Sequence, residues 1–340
     1  MSKGTRGSGA RSRATEATPQ ADASPTDSRA DRLRIRAAWM YFIEQMTQND
    51  IADVLGVGRV TVVRMLADAR ARNEVKIAIE GDLSGIVRQE RALEQRFGVE
   101  RAIVAPLSVE SADPIPTIGA ATGSYLSEAM KSGMSVGVGW GRTLTGTLPY
   151  ISGKPLADFR VISLLGGVGV ARRTNPAEFA WRFAQAFQGD GYLIPAPAVV
   201  DSVETKRALI ERCGLSEIFA LADSLDAVLV SVGDIASAST FYRGGFLTDA
   251  EREKLVAKGA VGDLLFHFFN RDGSLVDHPI NELGMSVDVD RIRRAPLRIL
   301  TSGGTEKIDA LLGAMKLVRP TVLITDEHSA RRMIEAADRV

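Results

Sequence analysis

The chain of 340 residues exceeds one ordinary domain of ~150 residues, so two unequal folded parts are expected. Hydrophobic residues at 45% and charged residues at 25% match soluble globular usage, with enough apolar side chains for a sizeable core. A lone cysteine (Cys213), three scattered histidines (His267, His278, His328) and the lack of a long apolar run argue against disulfide, metal, cofactor, membrane span and export signal, and so for the cytoplasm.

Residues 1–30 are Gly, Ser, Ala, Thr, Pro and charge, a composition that cannot offset the entropy of ordering. They read as a disordered tail whose Lys3, Arg6, Arg11 and Arg13 are solvated. Residues 31–80 read as a helix-turn-helix domain. Leu33, Ala37, Met40, Tyr41 and Ile43 recur near helical spacing, which predicts a first helix ending around Gln45 or Met46. Thr47 with Asp50 approximates a capping box that opens a second helix, with Ile51, Ala52, Val54 and Leu55 as its apolar face. Gly56 sits at the turn, and a third helix is expected from Arg59 to Asn73, with Val60, Val63, Met65 and Leu66 available to pack inward.

The net charge is zero, but Arg59 to Lys76 carries a local surplus of three positive charges. An α-helix fits the major groove of DNA, and residues near the start of the second helix of such a motif reach base edges. Arg59, Val60, Thr61 and Arg64 are therefore the candidate base-reading residues, with Thr47 and Gln48 placed to touch phosphates. The structural alternative is a small helical appendage with exposed arginines.

A short strand is expected at Val75 to Ile79. The span 81–98 then holds an amphipathic helix, Leu83 to Phe97, suited to a linker or to oligomerisation. From 99 to 340, apolar β-branched runs alternate with helical stretches. The runs are Ala102 to Val104, Ser135 to Val138, Arg160 to Leu165, Tyr192 to Ile194, Ala227 to Val232, Leu297 to Leu300 and Thr321 to Thr325. Helices are expected at Ile118 to Lys131, Pro176 to Gln188, Val203 to Cys213 and Lys307 to Val318. The alternation predicts an α/β fold with a doubly wound, Rossmann-like parallel sheet, without fixing strand order.

The segment TQNDIADVLGVGRVTVVRMLADARARNEVKI resembles the N-terminal domain of the SorC family of sugar-responsive transcriptional regulators. Similarity continues through GVGWGRTL, LLGGVG, NPAEFAWRFAQAF, LIPAPAVVDS, VSVGDI, GAVGDLLFHFFNRDG, SGGTEKIDALLGAMK and VLITDEHSA, from Leu33 to near the C-terminus. The resemblance implies a homo-oligomer (dimer or tetramer) that binds double-stranded operator DNA. It also implies an effector domain like sugar-phosphate isomerases of the ribose-5-phosphate isomerase and glucosamine-6-phosphate deaminase type. Binding of a sugar, polyol or sugar phosphate would then control DNA binding, more commonly by relieving repression.

GVGWGRT alone is also compatible with a tight structural turn, because its glycine spacing is not the dinucleotide fingerprint. In the family the matching segment belongs to the effector site, which assigns Gly139, Gly141, Arg142 and Thr143 to it. Ligands of open α/β sheets bind at the carboxyl ends of strands, which adds Gly166, Gly167, Asp234, Gly303, Gly304 and Lys307. Asn175 is either an N-cap or a sugar-hydroxyl ligand, and Asp263 is either structural or a hydroxyl acceptor. Rival readings are a sugar-phosphate isomerase using Asp234 or Asp263 as general base, and a nicotinamide-binding repressor.

Overall fold

The computed structural model describes residues 29–75, 84–168, 175–235 and 247–338, which fall into two compact units, before and after residues 77–78. Lys3, Arg6, Arg11 and Arg13 of the expected tail, and the expected strand beyond Val75, lie outside the described residues.

In the first unit, α1 (Arg29–Phe42), α2 (Gln48–Leu55) and α3 (Arg59–Ala71) enclose a core of Ala37, Ala38, Met40, Ile51, Ala52, Val62, Leu66 and Ala69. Helix α1 stops about three residues earlier than the periodicity suggests, and Gln45 turns out of it at φ 57°. Thr47 caps α2 in a complete capping box. Its Oγ1 accepts from the Asp50 amide at 3.3 Å, while Asp50 Oδ2 accepts from the Thr47 amide at 3.3 Å. Gly56, at φ 64°, supplies the left-handed residue that turns the chain into α3. Arg34 ties the ends of the unit together, its Nε donating to Glu74 Oε2 at 2.7 Å and its Nη1 meeting Asp31 at 2.6 Å. The Arg34 guanidinium in turn holds the Glu74 carboxyl below its ordinary range.

The inward face of α3 differs from the expected one. Val62, Leu66 and Ala69 are buried, whereas Val60 is 83% exposed and Val63 also faces outward. Because α3 starts at Arg59, helical spacing places 62, 66 and 69 on one face and turns 60, 63 and 64 away from it. Val54 on α2 is likewise exposed, leaving Ile51 and Ala52 as that helix's buried contribution.

The second unit opens with α4 (Ser84–Phe97) and is built on seven parallel strands. These are β1 (Arg101–Ala105), β2 (Ser135–Val138), β3 (Arg160–Gly167), β4 (Asp190–Pro197), β5 (Ala227–Val230), β9 (Leu297–Thr301) and β10 (Val322–Asp326). Their order is β1-β10-β9-β5-β2-β3-β4. Alternate residues feed two separate cores, as a parallel sheet covered on both faces requires. Val228, Val230, Leu300 and Leu323 point into one, Ala227, Leu229, Ile299, Val322 and Ile324 into the other.

The connecting helices are α5 (Ile115–Ala129), α6 (Arg142–Thr145), α7 (Pro176–Ala186), α8 (Val203–Arg212), α9 (Ser216–Leu221) and α10 (Asp249–Ala257). They continue with α11 (Ile280–Leu283), α12 (Val289–Arg294), α13 (Ile308–Val318) and α14 (Glu327–Ala337). Helices α5 and α7 cover the second core, where Phe159, Phe179, Phe183 and Phe187 form a stack with centroids 5.2–6.4 Å apart. Helices α4, α13 and α14 contribute to the first.

A second, antiparallel sheet joins β6 (Gly233–Asp234), β7 (Ala260–Leu264) and β8 (His267–Asn270). The expected strand Ala227 to Val232 therefore ends at Val230, and Asp234 belongs to this small sheet, paired with Gly262.

Replacing Phe183 by Ala removes the centre of the phenylalanine stack. It should cost roughly 3–5 kcal/mol of unfolding free energy, read as a lower urea midpoint of the second unit's transition.

Candidate functional site

The strand order changes direction between β2 and β5: the chain leaves β2 for β3 on one side and leaves β5 for β9 on the other. This is where loops of an open α/β sheet diverge and leave a crevice at the strands' carboxyl ends.

On the β2 side stands Gly139-Trp140-Gly141. The Gly139 amide donates to Leu229 O at 2.8 Å, extending the ladder past the strands, and a Cβ there would lie 3.2 Å from Leu265. Gly141, at φ 128°, opens the one-turn helix α6, whose Thr143 is buried and whose Arg142 makes a solvent-exposed 3.4 Å ion pair with Asp113. Such an exposed pair contributes little to stability and leaves the arginine able to change partners.

The next loop follows β9, adjacent to β5. Ser302 Oγ donates to Val232 O at 3.3 Å, joining the loops after β5 and β9. Gly303 packs so closely that a Cβ would lie 2.2 Å from Asp326 Oδ2, and Gly304 adopts φ 106°. The Gly304 amide is held by Asp326 Oδ2 at 3.1 Å and Ser329 Oγ at 2.9 Å. That N–H is therefore engaged within the protein, and Gly303 and Gly304 shape the loop. Lys307 follows, half-buried, in the turn that leads into α13.

Asp263 comes from β7 and lies opposite Gly233, where a Cβ would be 2.3 Å from its Oδ1. Burial pushes its carboxyl up to about 7. The Phe266 amide, donating at 3.4 Å, and the Lys307 ammonium oppose that rise, whereas the charge on Asp234 adds to it. Asp263, Asp234 and Lys307 thus form one electrostatic group at the fork. A buried carboxyl shifted by desolvation and a charged neighbour is a characteristic of functional sites.

The hairpin between β7 and β8 closes over this edge. Its two turn residues, Leu265 and Phe266, both have positive φ (52° and 64°) and both are buried, an uncommon conformation for bulky side chains. Phe266 stacks on Trp140 with centroids 5.7 Å apart and planes 13° from parallel.

The remaining candidates lie one strand outward. The Gly166 amide donates to Met285 O at 2.9 Å and Gly167 O accepts from Ala198 at 2.7 Å, at an irregularity in the β3–β4 ladder. Asn175 caps α7, its Oδ1 accepting from the Ala177 amide at 3.0 Å. The structure therefore groups Gly139, Gly141, Thr143, Asp234, Asp263, Gly303, Gly304 and Lys307 on adjoining loops, with Gly166, Gly167 and Asn175 at the flank. Trp140, Phe266, Ser302 and Asp326 were not singled out from sequence. Asp326 carries a usable signal, an acidic residue at a strand end with Ser329 three positions on, the pattern of a helix cap.

In the first unit, Thr47, Gln48 and Arg59 line one crevice of about 490 Å³ with Tyr41, Phe42, Gln45, Met46 and Asn49. Val60 and Arg64 are exposed and Thr61 is half-buried on the first turns of α3. Among the described residues, no group of three or more His, Cys, Asp or Glu side chains is placed to hold a metal ion, and no helix is long and apolar enough to cross a membrane.

Residues 82–335 match the family model Sugar-bind, described as "Putative sugar-binding domain". The chain belongs to this family. Relatives of the chain include the erythritol catabolism regulatory protein EryD of Brucella abortus, 29% identical over 306 residues (89% of this chain, 96% of that protein). The deoxyribonucleoside regulator of Bacillus subtilis is 28% identical over 310 residues (91% and 99%). The crystal structure of the full-length sorbitol operon regulator SorC of Klebsiella pneumoniae superposes with a TM-score of 0.68 at 26% identity, covering 89% of this chain and 98% of that one. By their names these relatives regulate erythritol catabolism, deoxyribonucleosides and the sorbitol operon, and the chain shares the α/β architecture of SorC, with helices at its N-terminus.

The raised carboxyl of Asp263 sets a pH dependence. Its proton is held more tightly in the folded chain than in the unfolded one, so its contribution is full below about pH 4 and is lost as pH rises through about 7. The loss is on the order of 4 kcal/mol across that window. Asp263→Asn should therefore flatten the decline in stability between pH 4 and 7 relative to wild type, as measured by urea unfolding at a series of pH values.

Proposed function

We propose that the protein is a DNA-binding transcriptional regulator, acting as a repressor of a carbohydrate or polyol catabolic operon. In this reading it works in the cytoplasm as a homo-oligomer, dimer or tetramer, and releases its operator when a sugar, polyol or sugar phosphate binds. The observation that carries it is the match to full-length SorC over 98% of that chain, which includes the helical unit as well as the α/β unit. An isomerase has no use for such an N-terminal unit, and the relatives are named regulators, which supports a non-enzymatic role.

Helices α2 and α3 then act as a helix-turn-helix. Arg59, Val60, Thr61 and Arg64 face the bases, and Thr47 and Gln48 touch the sugar-phosphate backbone, a role that suits their shared crevice with Arg59. The exposed Val60 offers an apolar contact for a thymine methyl group.

The effector occupies the crevice at the fork. Lys307 and Arg142 supply positive charge for an anionic group, and Asp234 and Asp263 accept hydrogen bonds from hydroxyls. The Gly139–Gly141 and Gly303–Gly304 loops set its shape, with Thr143, Gly166, Gly167 and Asn175 as further contacts. Regulation requires the effector to bind one arrangement of the protein more tightly than another, because equal affinity shifts nothing.

The test is a gel-shift titration on the protein's own upstream DNA with a panel of sugars, polyols and their phosphates. One compound should alter a specific shift. Turnover of ribose 5-phosphate or glucosamine 6-phosphate without DNA binding would instead establish the isomerase. Arg64→Ala should weaken operator binding by about 1–3 kcal/mol with effector affinity retained. Lys307→Ala should keep operator affinity and blunt the response to a phosphorylated effector, as read by titrating that effector into the DNA complex.

A further inference from the structure

Six of the thirteen large apolar side chains left exposed among the described residues belong to the first unit, which supplies only residues 29–75 of them: Ile35, Trp39, Ile43, Val54, Val60 and Val63. Val60 and Val63 lie on the face of α3 assigned to DNA. The other concentration is on α1, where Ile35 (47% exposed), Trp39 (58%) and Ile43 (62%) follow one another at intervals of four. The Ile43 amide still donates to Trp39 O at 2.9 Å, so Ile43 continues the helical path beyond Phe42. At 100° per residue these three side chains centre on the side of α1 away from Arg34, Ala37 and Ala38, which pack into the unit. Nothing in the unit's own core needs them. A three-helix unit that only had to fold and stay soluble would carry polar residues there.

We propose that this stripe is the contact between two copies of the unit, with α1 packing antiparallel against α1 of a second copy about an axis at Trp39. The proposal rests on the reading of the unit as DNA-binding, in which paired units read paired half-sites. Charge selects the occupant and its direction. The N-terminal half of the stripe is flanked by the exposed Arg36, and the exposed Glu44 lies just beyond its C-terminal end.

In a parallel pair the two Arg36 guanidinium groups would converge. An antiparallel pair centred on Trp39 separates them by roughly 9 Å along the axis. It also sets each Arg36 toward the partner's helix C-terminus, the negative end of its dipole, and toward Glu44 just beyond it. Ile35 then faces Ile43 of the second copy, and the two Trp39 rings meet at the axis.

The size of the patch says when the contact forms. Three half-exposed side chains offer roughly 300–400 Å² of apolar surface per copy. The pair buries well under the ~1,200 Å² of a stable free-standing interface. The contact is therefore weak on its own and closes when the two units are brought together by the rest of the oligomer or by adjacent half-sites, where effective concentration replaces area.

The experiment uses the full-length chain with the exposed Cys213 removed. Trp39→Cys in a Cys213→Ser background is oxidised with copper phenanthroline, alone and with operator DNA, beside a Val54→Cys control on α2. Side chains that meet at a two-fold axis satisfy the short Cβ separation of a disulfide, so Trp39→Cys should cross-link into a covalent dimer at least 10-fold faster than the control. Equal rates for the two variants overturn the pairing, whatever else covers the stripe. Trp39→Glu, at an exposed position, should leave affinity for a single half-site unchanged and weaken binding to a paired site at least 10-fold. Unchanged paired-site affinity overturns the proposal. If the wild-type chain binds no DNA, the regulator reading fails by itself, and the cross-linking rate alone decides the pairing.

Discussion

The reversal of strand order between β2 and β5 is the constraint from which the rest of the second unit follows. A parallel sheet buried on both faces has no open surface, so the one region where successive loops meet solvent with polar backbone available is the carboxyl edge at the fork. The ladder extends one residue past the strands, with Gly139 donating to Leu229, and that closeness is why the loop is built from glycines. Gly137 obeys the same constraint one turn of the pleat earlier, since a Cβ there would lie 2.7 Å from Leu225 and 2.8 Å from Leu164. Chemistry collects at this edge because the packing leaves it nowhere else.

Two buried aspartates at this edge have opposite characters. Asp326 accepts from the amides of His328, Ser329 and Gly304 and from Ser329 Oγ, at 2.6–3.1 Å. It sits at the N-terminus of α14, where the helix dipole favours an anion. Its oxygens are consumed by the fold, and what it does is fix the Gly303–Gly304 loop. Asp263 has the Phe266 amide at 3.4 Å and is raised by desolvation, with Asp234 and Lys307 nearby. A carboxyl so placed keeps capacity for another donor. Both lie on apolar runs, and only the count of hydrogen bonds separates a structural carboxylate from one suited to a ligand.

How much the sequence revealed depends on how local each determinant is. The cap at Thr47 and Asp50, the turn at Gly56 and all seven main strands were readable, because each rests on a few adjacent residues. Strand order was not readable, since it depends on which distant strands pair. The β7–β8 hairpin was missed for a specific reason: a two-residue turn with both φ values positive normally announces itself by Asn or Gly, and here Leu265 and Phe266 occupy it. Their tolerance comes from packing against Gly139 and Trp140, a third of the chain away. Val60 and Val63 misled in the other direction, since an apolar residue near a helix start fits a core pattern, and the helical phase set by Arg59 turns both away from the core. Asn175 was left open between a cap and a ligand; its hydrogen bond to Ala177 accounts for the cap.

The loops at the fork are also tied to the first helix of the second unit. Asp326, which holds Gly304, is followed directly by Glu327 and His328. Glu327 Oε1 accepts from the Leu107 amide at 3.0 Å, and His328 Nε2 lies 3.1 Å from Leu107 O. Leu107 closes the segment after β1, and the outer edge of β1 is covered by α4, where Glu94 accepts from Ala102 and Glu90 from Val104, each at 3.0 Å. These carboxylates satisfy the amides that an edge strand would otherwise offer to another chain. They also give α4 a fixed register on the sheet, which apolar contacts alone would leave free to slide. A close-packed interior transmits a shift between neighbours instead of absorbing it. Hydrogen bonds and strand pairing thus form one continuous path from the Gly303–Gly304 loop to α4 without passing through solvent.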